Sequence, residues 1–238
     1  MYVNPMARRT KEEAQETRTR ILDAAVGVFH EDGVAHASLE DIAAAAKVTR
    51  GAIYWHFKDK AELFDAMMQR VVLPVEAIRA GADCCEQPDP LSLLRRSAID
   101  VLLRTARDPK TRRVFEIAYH KCEYVGDAAG VRDRHVASQK ECLGAIEEGF
   151  RACVEGGQLP RSIDPKVAAI GTMSLVSGLI ANWVLAPRSF SLEKNAETLV
   201  DIYFRGLAKE ALPRPDAALT RRVTPRAQRK TETQRRAK

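Results

Sequence analysis

Apolar residues recur at intervals of three and four along most of the chain, and the breaks in that rhythm divide it into helices. From about Lys11 to Asp32, the residues Ile21, Leu22, Ala25, Val28 and Phe29 form one stripe, and Gly33 stands where a left-handed C-cap belongs. Two short helical patterns fill Ser38 to Lys60. Ser38 is an N-cap with Asp41 three residues on, and Leu39, Ile42, Ala43 and Ala46 fall at helical spacing. Thr49 opens the second, in which Ile53 and Phe57 pack inward with Val48. Asp59-x-x-Glu62 is a capping pattern for a fourth helix carrying Leu63, Phe64, Met67, Met68, Val71 and Val72, which Pro74 kinks or ends. Punctuation then marks helices from Leu91 to about Arg107, from Asp108-Pro109 through about Tyr124, and from about Ala129 to Glu155, ended by Gly156-Gly157. Asp164-Pro165 and Ala186-Pro187 bracket an uncharged helix, and Ser191 opens a last one to about Glu210. Low Gly and Pro content and the lack of alternating β-branched runs make the expected fold all-α.

The second short helix carries more aromatic surface than it can bury. Tyr54, Trp55, His56 and Phe57 are consecutive, and consecutive helical side chains diverge by about 100°. Inward packing of Ile53 and Phe57 leaves Arg50, Gly51, Tyr54 and Trp55 facing out, among Lys47, Arg50, Lys58 and Lys60 with Asp59 the only acid from 47 to 60. A basic, aromatic surface of this kind fits a polyanion, and a short helix fits the major groove of DNA as the second helix of a helix-turn-helix does. The residues alone also fit a pair of core helices anchored by aromatics.

Charge changes the picture by its placement. The chain carries a formal +6, but residues 212–238 hold nine Lys/Arg against Asp216 and Glu232, so the rest of the chain is close to neutral. That tail has almost no core-forming residues and is expected to be disordered. The case for nucleic acid therefore rests on the patch at 47–60. Cys84, Cys85, Cys122, Cys142 and Cys153 show no CxxC spacing and no nearby His pair, which points to free thiols in a reducing cytosol. No apolar signal stretch opens the chain, and the uncharged run from Val167 to Pro187 is interrupted by Gly171, Thr172, Ser174, Ser177, Gly178 and Asn182, as a buried helix of a cytoplasmic protein would be. No phosphate loop, metal-ligand cluster or nucleophile motif supports an enzyme or a cofactor, and His30, His36, His56, His120 and His135 are scattered.

The stretch Thr49-Arg50-Gly51-Ala52-Ile53-Tyr54-Trp55-His56-Phe57-Lys58-Asp59-Lys60, preceded by Leu39-x-x-Ile42-Ala43, strongly resembles the TetR family of bacterial transcriptional repressors. Upstream, Arg9 to Arg18 continues the likeness; downstream, Glu116-Ile117, His120-Lys121-Cys122-Glu123 and Gly178-Leu179-Ile180 look like its multidrug-efflux branch. The resemblance covers about residues 8–210 and implies a nine-helix homodimer. It implies a flexible arm at 1–10, a helix-turn-helix DNA-binding domain at 11–58 and a ligand-binding and dimerisation domain at 59–211. On those terms Arg50 and Gly51 contact bases, Trp55 lies close to bases or sugars, and Thr49, Tyr54, His56 and Lys60 hold phosphates, joined by Ser38 at its helix N-terminus.

The same resemblance places a pocket for a hydrophobic small molecule at Met67, Val71, Val101, Phe115, Tyr119, Cys142, Ile146, Met173, Val176, Ser177 and Ile180. Phe115, Ala118, Tyr119 and Cys122 share one helix face. Glu116 and His120, one turn apart, are placed to pair with each other. Some efflux-type members hold an acidic residue on the fourth helix for cationic drugs; here Arg70-Val71-Val72-Leu73 stands there. On the uncharged helix Gly171, Ser174 and Gly178 form a small-residue strip, continued by Leu175, Leu179 and Trp183, which suits either a dimer interface or close packing within the chain. The expected function is a dimeric, ligand-released repressor of double-stranded operator DNA controlling an efflux operon. The alternative is an architectural DNA binder that uses the basic tail and has no effector.

Overall fold

The computed structural model describes residues 5–71, 89–123 and 129–209. Pro74, Cys84-Cys85, Tyr124 and the tail at 212–238 lie outside the described residues. Within them are nine helices and no strand: α1 Pro5–His36, α2 Leu39–Ala45, α3 Arg50–His56, α4 Lys60–Gln69, α5 Pro90–Arg107, α6 Pro109–His120, α7 Ala129–Glu155, α8 Pro165–Leu185 and α9 Leu192–Ala208.

Local chemistry sets most of these boundaries. Ser38 and Asp41 form a reciprocal capping box, Thr49 Oγ1 accepts from the Ala52 N–H, and the Asp59 carboxylate accepts from the Glu62 N–H. Asp89, Asp108 and Asp164 each cap a helix whose first residue is proline, where a missing N–H costs nothing. Two boundaries differ from the sequence expectation. α1 begins at Pro5, inside the expected arm; its helical geometry breaks at Gly33, whose φ of 77° is the positive-φ position expected there, and a short further turn runs to His36. α6 stops at His120, short of Tyr124, because Lys121 leaves helical geometry and its carbonyl accepts the Val34 N–H at 3.0 Å.

α1, α2 and α3 pack as one unit around Phe29, Ile42, Ile53 and Phe57, all fully buried. α5 to α9 form the larger bundle, with α4 lying between α1 and α7. Ion pairs from Arg95 to Asp201 (2.5 Å) and Glu197 (2.7 Å), and from Arg107 to Glu193 (2.8 Å), fasten α9 along α5. Among the described residues α8 is the one helix long and apolar enough to cross a membrane by length and composition. Here it packs on α5, α6, α7 and α9.

Candidate nucleic-acid interface and effector cavity

The turn between α2 and α3 is tight. Lys47 takes a φ of 55°, and the N–H groups of Lys47 and Val48 donate back to the Ala44 and Ala43 carbonyls. This presents α3 with Ile53 inward and its aromatic face outward: Trp55 is 73% exposed and Tyr54 45%. Arg50 and Gly51 are exposed on the same helix. The Arg50 guanidinium lies 5.7 Å from the Tyr54 ring centroid and pairs with Glu40 of α2 at 2.9 Å. His56 stands edge-on to Trp55 at 4.5 Å, and burial, then the neighbouring Arg18, hold its pKa below the usual 6.5, so it is neutral at physiological pH. Thr49 is exposed, with its hydroxyl oxygen accepting the α3 cap bond.

Two of the expected phosphate contacts have intramolecular partners. Ser38 donates both its N–H (3.1 Å) and its hydroxyl (2.5 Å) to the Asp41 carboxylate. The Lys60 ammonium donates to the Ala35 (2.9 Å) and Ala37 (3.0 Å) carbonyls, tying the start of α4 to the end of α1. The first task of both side chains is therefore to hold the DNA-binding unit together.

An open cavity of about 150 Å³ lies among α4, α5, α6, α7 and α8. Val101, Phe115, Tyr119, Cys142, Ile146, Met173, Val176, Ser177 and Ile180 line it as the resemblance implied. Met67 and Val71 do not: α4 turns Met68 to the cavity and sends Met67 and Val71 into a separate charged groove with Asp23, Arg70, Arg104 and Lys110. Leu94, Ser97, Ala98, His135, Ser138, Gln139 and Thr172 also line the cavity and were missed. Helical spacing back from Ile146 and Cys142 reaches Gln139, Ser138 and His135, so that signal was present in the sequence. Phe115 and Tyr119 stack at 6.1 Å, and burial pushes the Tyr119 hydroxyl above its usual 10.0 against a hydrogen bond with Ser177. Burial likewise raises the Cys142 thiol, which keeps it protonated and unreactive.

The small-residue strip of α8 divides. A Cβ on Gly171 would run into the Tyr203 hydroxyl of α9, and Trp183 is buried beneath the Arg112 guanidinium, 5.2 Å from its ring. Both therefore take part in packing within the chain. Leu175 and Leu179 are half-buried, Ser174 is exposed, and nothing lies within 4 Å of a Cβ at Gly178. The exposed apolar residues Val167, Ile170 and Leu185 follow the Ser174 and Gly178 side of α8, and Ile202 is exposed on α9.

The bundle and the DNA-binding unit meet at a seam between α1 and α6. Glu116 pairs with His30 of α1 at 3.2 Å, and His120 bonds the Ala181 carbonyl at 3.0 Å, so these two residues do not pair with each other as expected. Lys121 Nζ donates to the His30 carbonyl at 2.6 Å, while its own carbonyl accepts from Val34. Arg70 of α4 pairs with Asp23 of α1 at 2.7 Å.

A helix-turn-helix unit of three helices joined to a helical bundle with an apolar cavity is the plan of a one-component bacterial regulator. Residues 21–67 match the family described as bacterial regulatory proteins, tetR family, and residues 89–209 match the C-terminal region of MAATS-type transcriptional repressors. The chain is 43% identical over 197 residues to the HTH-type transcriptional regulator AcrR of Shigella flexneri, covering 83% of this chain and 92% of that one. It is 40% identical over 196 residues to the regulator TtgR of Pseudomonas putida, covering 82% and 93%. Among solved structures, NalD, the secondary repressor of the MexAB-OprM multidrug efflux pump in Pseudomonas aeruginosa, matches with a TM-score of 0.73 at 34% identity, over 83% of this chain and 98% of that one. A SmeT–triclosan complex matches at 0.73 and 30%, over 84% and 100%. This chain belongs to the TetR family of bacterial regulatory proteins.

Proposed function

We propose that this protein is a cytoplasmic repressor that binds a palindromic operator as a homodimer, controls a multidrug efflux operon and is released by a hydrophobic small molecule in the α4–α8 cavity. The observation that carries the reading is the outward display of Trp55 and Tyr54 beside Arg50, on a helix anchored by fully buried Ile53. No packing need explains so large an exposed aromatic surface, whereas stacking against sugars and bases does. Arg50 is the base reader, with guanine acceptors as its natural partner, and Gly51 lets the backbone approach. Trp55 contacts bases or sugars. Thr49, Tyr54 and His56 hold phosphates and register.

The dimer forms through the exposed side of α8 at Val167, Ile170, Ser174 and Gly178, with Ile202 of α9. That pairing sets two copies of α3 at successive major grooves about 34 Å apart. A ligand that favours a shifted α4 spoils the spacing and lowers operator affinity. Relatives support the assignment of target genes: NalD is named for repression of an efflux pump, and SmeT has been captured with triclosan. The test is a gel-shift series on the intergenic DNA beside the gene. One fragment should shift at salt and competitor levels that abolish non-specific binding, and an apolar ligand should reverse the shift. Binding that ignores sequence, or that no apolar ligand alters, would refute the reading.

A further inference from the structure

The cavity wall is mostly apolar; its polar groups are the hydroxyls of Ser97, Tyr119, Thr172 and Ser177 and, from α7, His135, Ser138 and Gln139, and among its described lining residues there is no Asp, Glu, Lys or Arg. Gln139 Nε2 and His135 Nε2 lie 2.9 Å apart. With the Gln amide donating, the imidazole nitrogen accepts, and the ring proton sits on Nδ1. Burial lowers the His135 pKa against the opposing pull of Asp65, which keeps the ring neutral. A neutral acceptor on an uncharged wall selects a neutral ligand carrying a hydrogen-bond donor.

His135 also touches α4. Its ring stands edge-on to Phe64 at 6.0 Å, and Phe64 in turn packs on Phe29 of α1 at 6.4 Å. Both phenylalanines are essentially fully buried. Three rings thus run in file from the cavity wall through α4 into the DNA-binding unit. The preceding residue, Arg134, reaches the Asp59 cap of α4 at 3.5 Å, so adjacent residues of α7 grip α4 at its cap and one turn further in.

We propose that His135 reads the hydroxyl of a neutral, phenol-like effector and transmits its binding to α4 through Phe64. The ligand hydroxyl displaces Gln139 as donor to His135 Nε2 and turns the imidazole, so the edge contact that fixes Phe64 against Phe29 is lost. The inference rests on the ligand-release reading above and adds the ligand class and the residue that senses it.

Operator affinity of the full chain is measured alone, with triclosan, and with triclosan O-methyl ether, which keeps the rings and lacks the donor. The wild type should lose at least tenfold more affinity with triclosan than with the ether. His135→Phe keeps a ring against Phe64 without an acceptor; measured against its own ligand-free operator affinity, it should respond equally to both ligands. A wild-type difference that persists in His135→Phe overturns the inference. Equal release of the wild type by both ligands also overturns it and leaves the release reading standing, whereas no release by either removes both. Gln139→Met, at an exposed position, gives an independent arm. It removes the competing donor, so triclosan should bind severalfold more tightly in calorimetry while the ether is unaffected; unchanged triclosan affinity counts against the proposal.

Discussion

Arg50 and Glu40 form a pair whose side chains are 70% and 47% exposed, and such pairs contribute only about 0–1 kcal/mol. Glu40 therefore parks the guanidinium without holding it, and a guanine edge can take it over. Arg50→Ala should leave thermal unfolding unchanged, weaken operator binding by about 1–3 kcal/mol and relax discrimination at one base position, as read by competition with operator variants. Lys60 is the contrasting case. Its ammonium already bonds two carbonyls at the end of α1, and hydrogen bonds to charged groups contribute about 1.5–3 kcal/mol. Lys60→Met should lower stability to urea; normal unfolding with a flatter salt dependence of operator binding would return this residue to the phosphates.

The helices depend on short-range caps, and in three of these a hydrogen bond makes a carboxyl more acidic than usual. Hydrogen bonds from Ser38, Ser92 and Thr111 hold the carboxyls of Asp41, Asp89 and Asp108 respectively below their usual 3.8. A carboxyl more acidic folded than unfolded contributes stability that is fully present above the unfolded value and lost as pH falls through the folded one. Thr111→Val should accordingly lower stability to urea at neutral pH, with the difference from the wild type shrinking as pH falls below about 4. The two glycines of α8 separate by the same logic of local space. Gly171→Ala forces a methyl onto Tyr203 and should cost about 1–3 kcal/mol, whereas Gly178→Ala meets nothing in the protomer and should stabilise the isolated helix by about 0.5–1 kcal/mol, both read by denaturant unfolding. What the sequence made legible follows this division. Caps at Ser38, Thr49, Asp59, Asp108, Asp164 and Ser191 act within four residues and were readable from order alone. The end of α6, the partners of Glu116 and His120, and the rotation of α4 that swaps Met67 for Met68 depend on residues tens of positions away, which no periodicity encodes.

For the whole molecule, the proposed dimer uses the exposed α8 and α9 face to make two recognition helices act together. Ile202→Glu puts a charge on that face at a position 66% exposed in the protomer, so the fold should survive while sedimentation shifts to the monomer and operator affinity falls steeply at low protein concentration. A protein that stays dimeric with this change uses another face. The cationic residues at 212–238 are not needed in this scheme, and deleting them should preserve operator choice.

The seam between Lys121 and α1 has a mechanical consequence. The DNA-binding unit is held covalently at the start of α4 and, in a row along α1, where Lys121 clasps His30 and Val34, where Glu116 pairs with His30 and where Asp23 meets Arg70. A row of contacts along one helix resists sliding more than it resists turning about that helix. A displacement of α4 is therefore expected to reach the recognition helix as a turn about α1, in a direction the row sets.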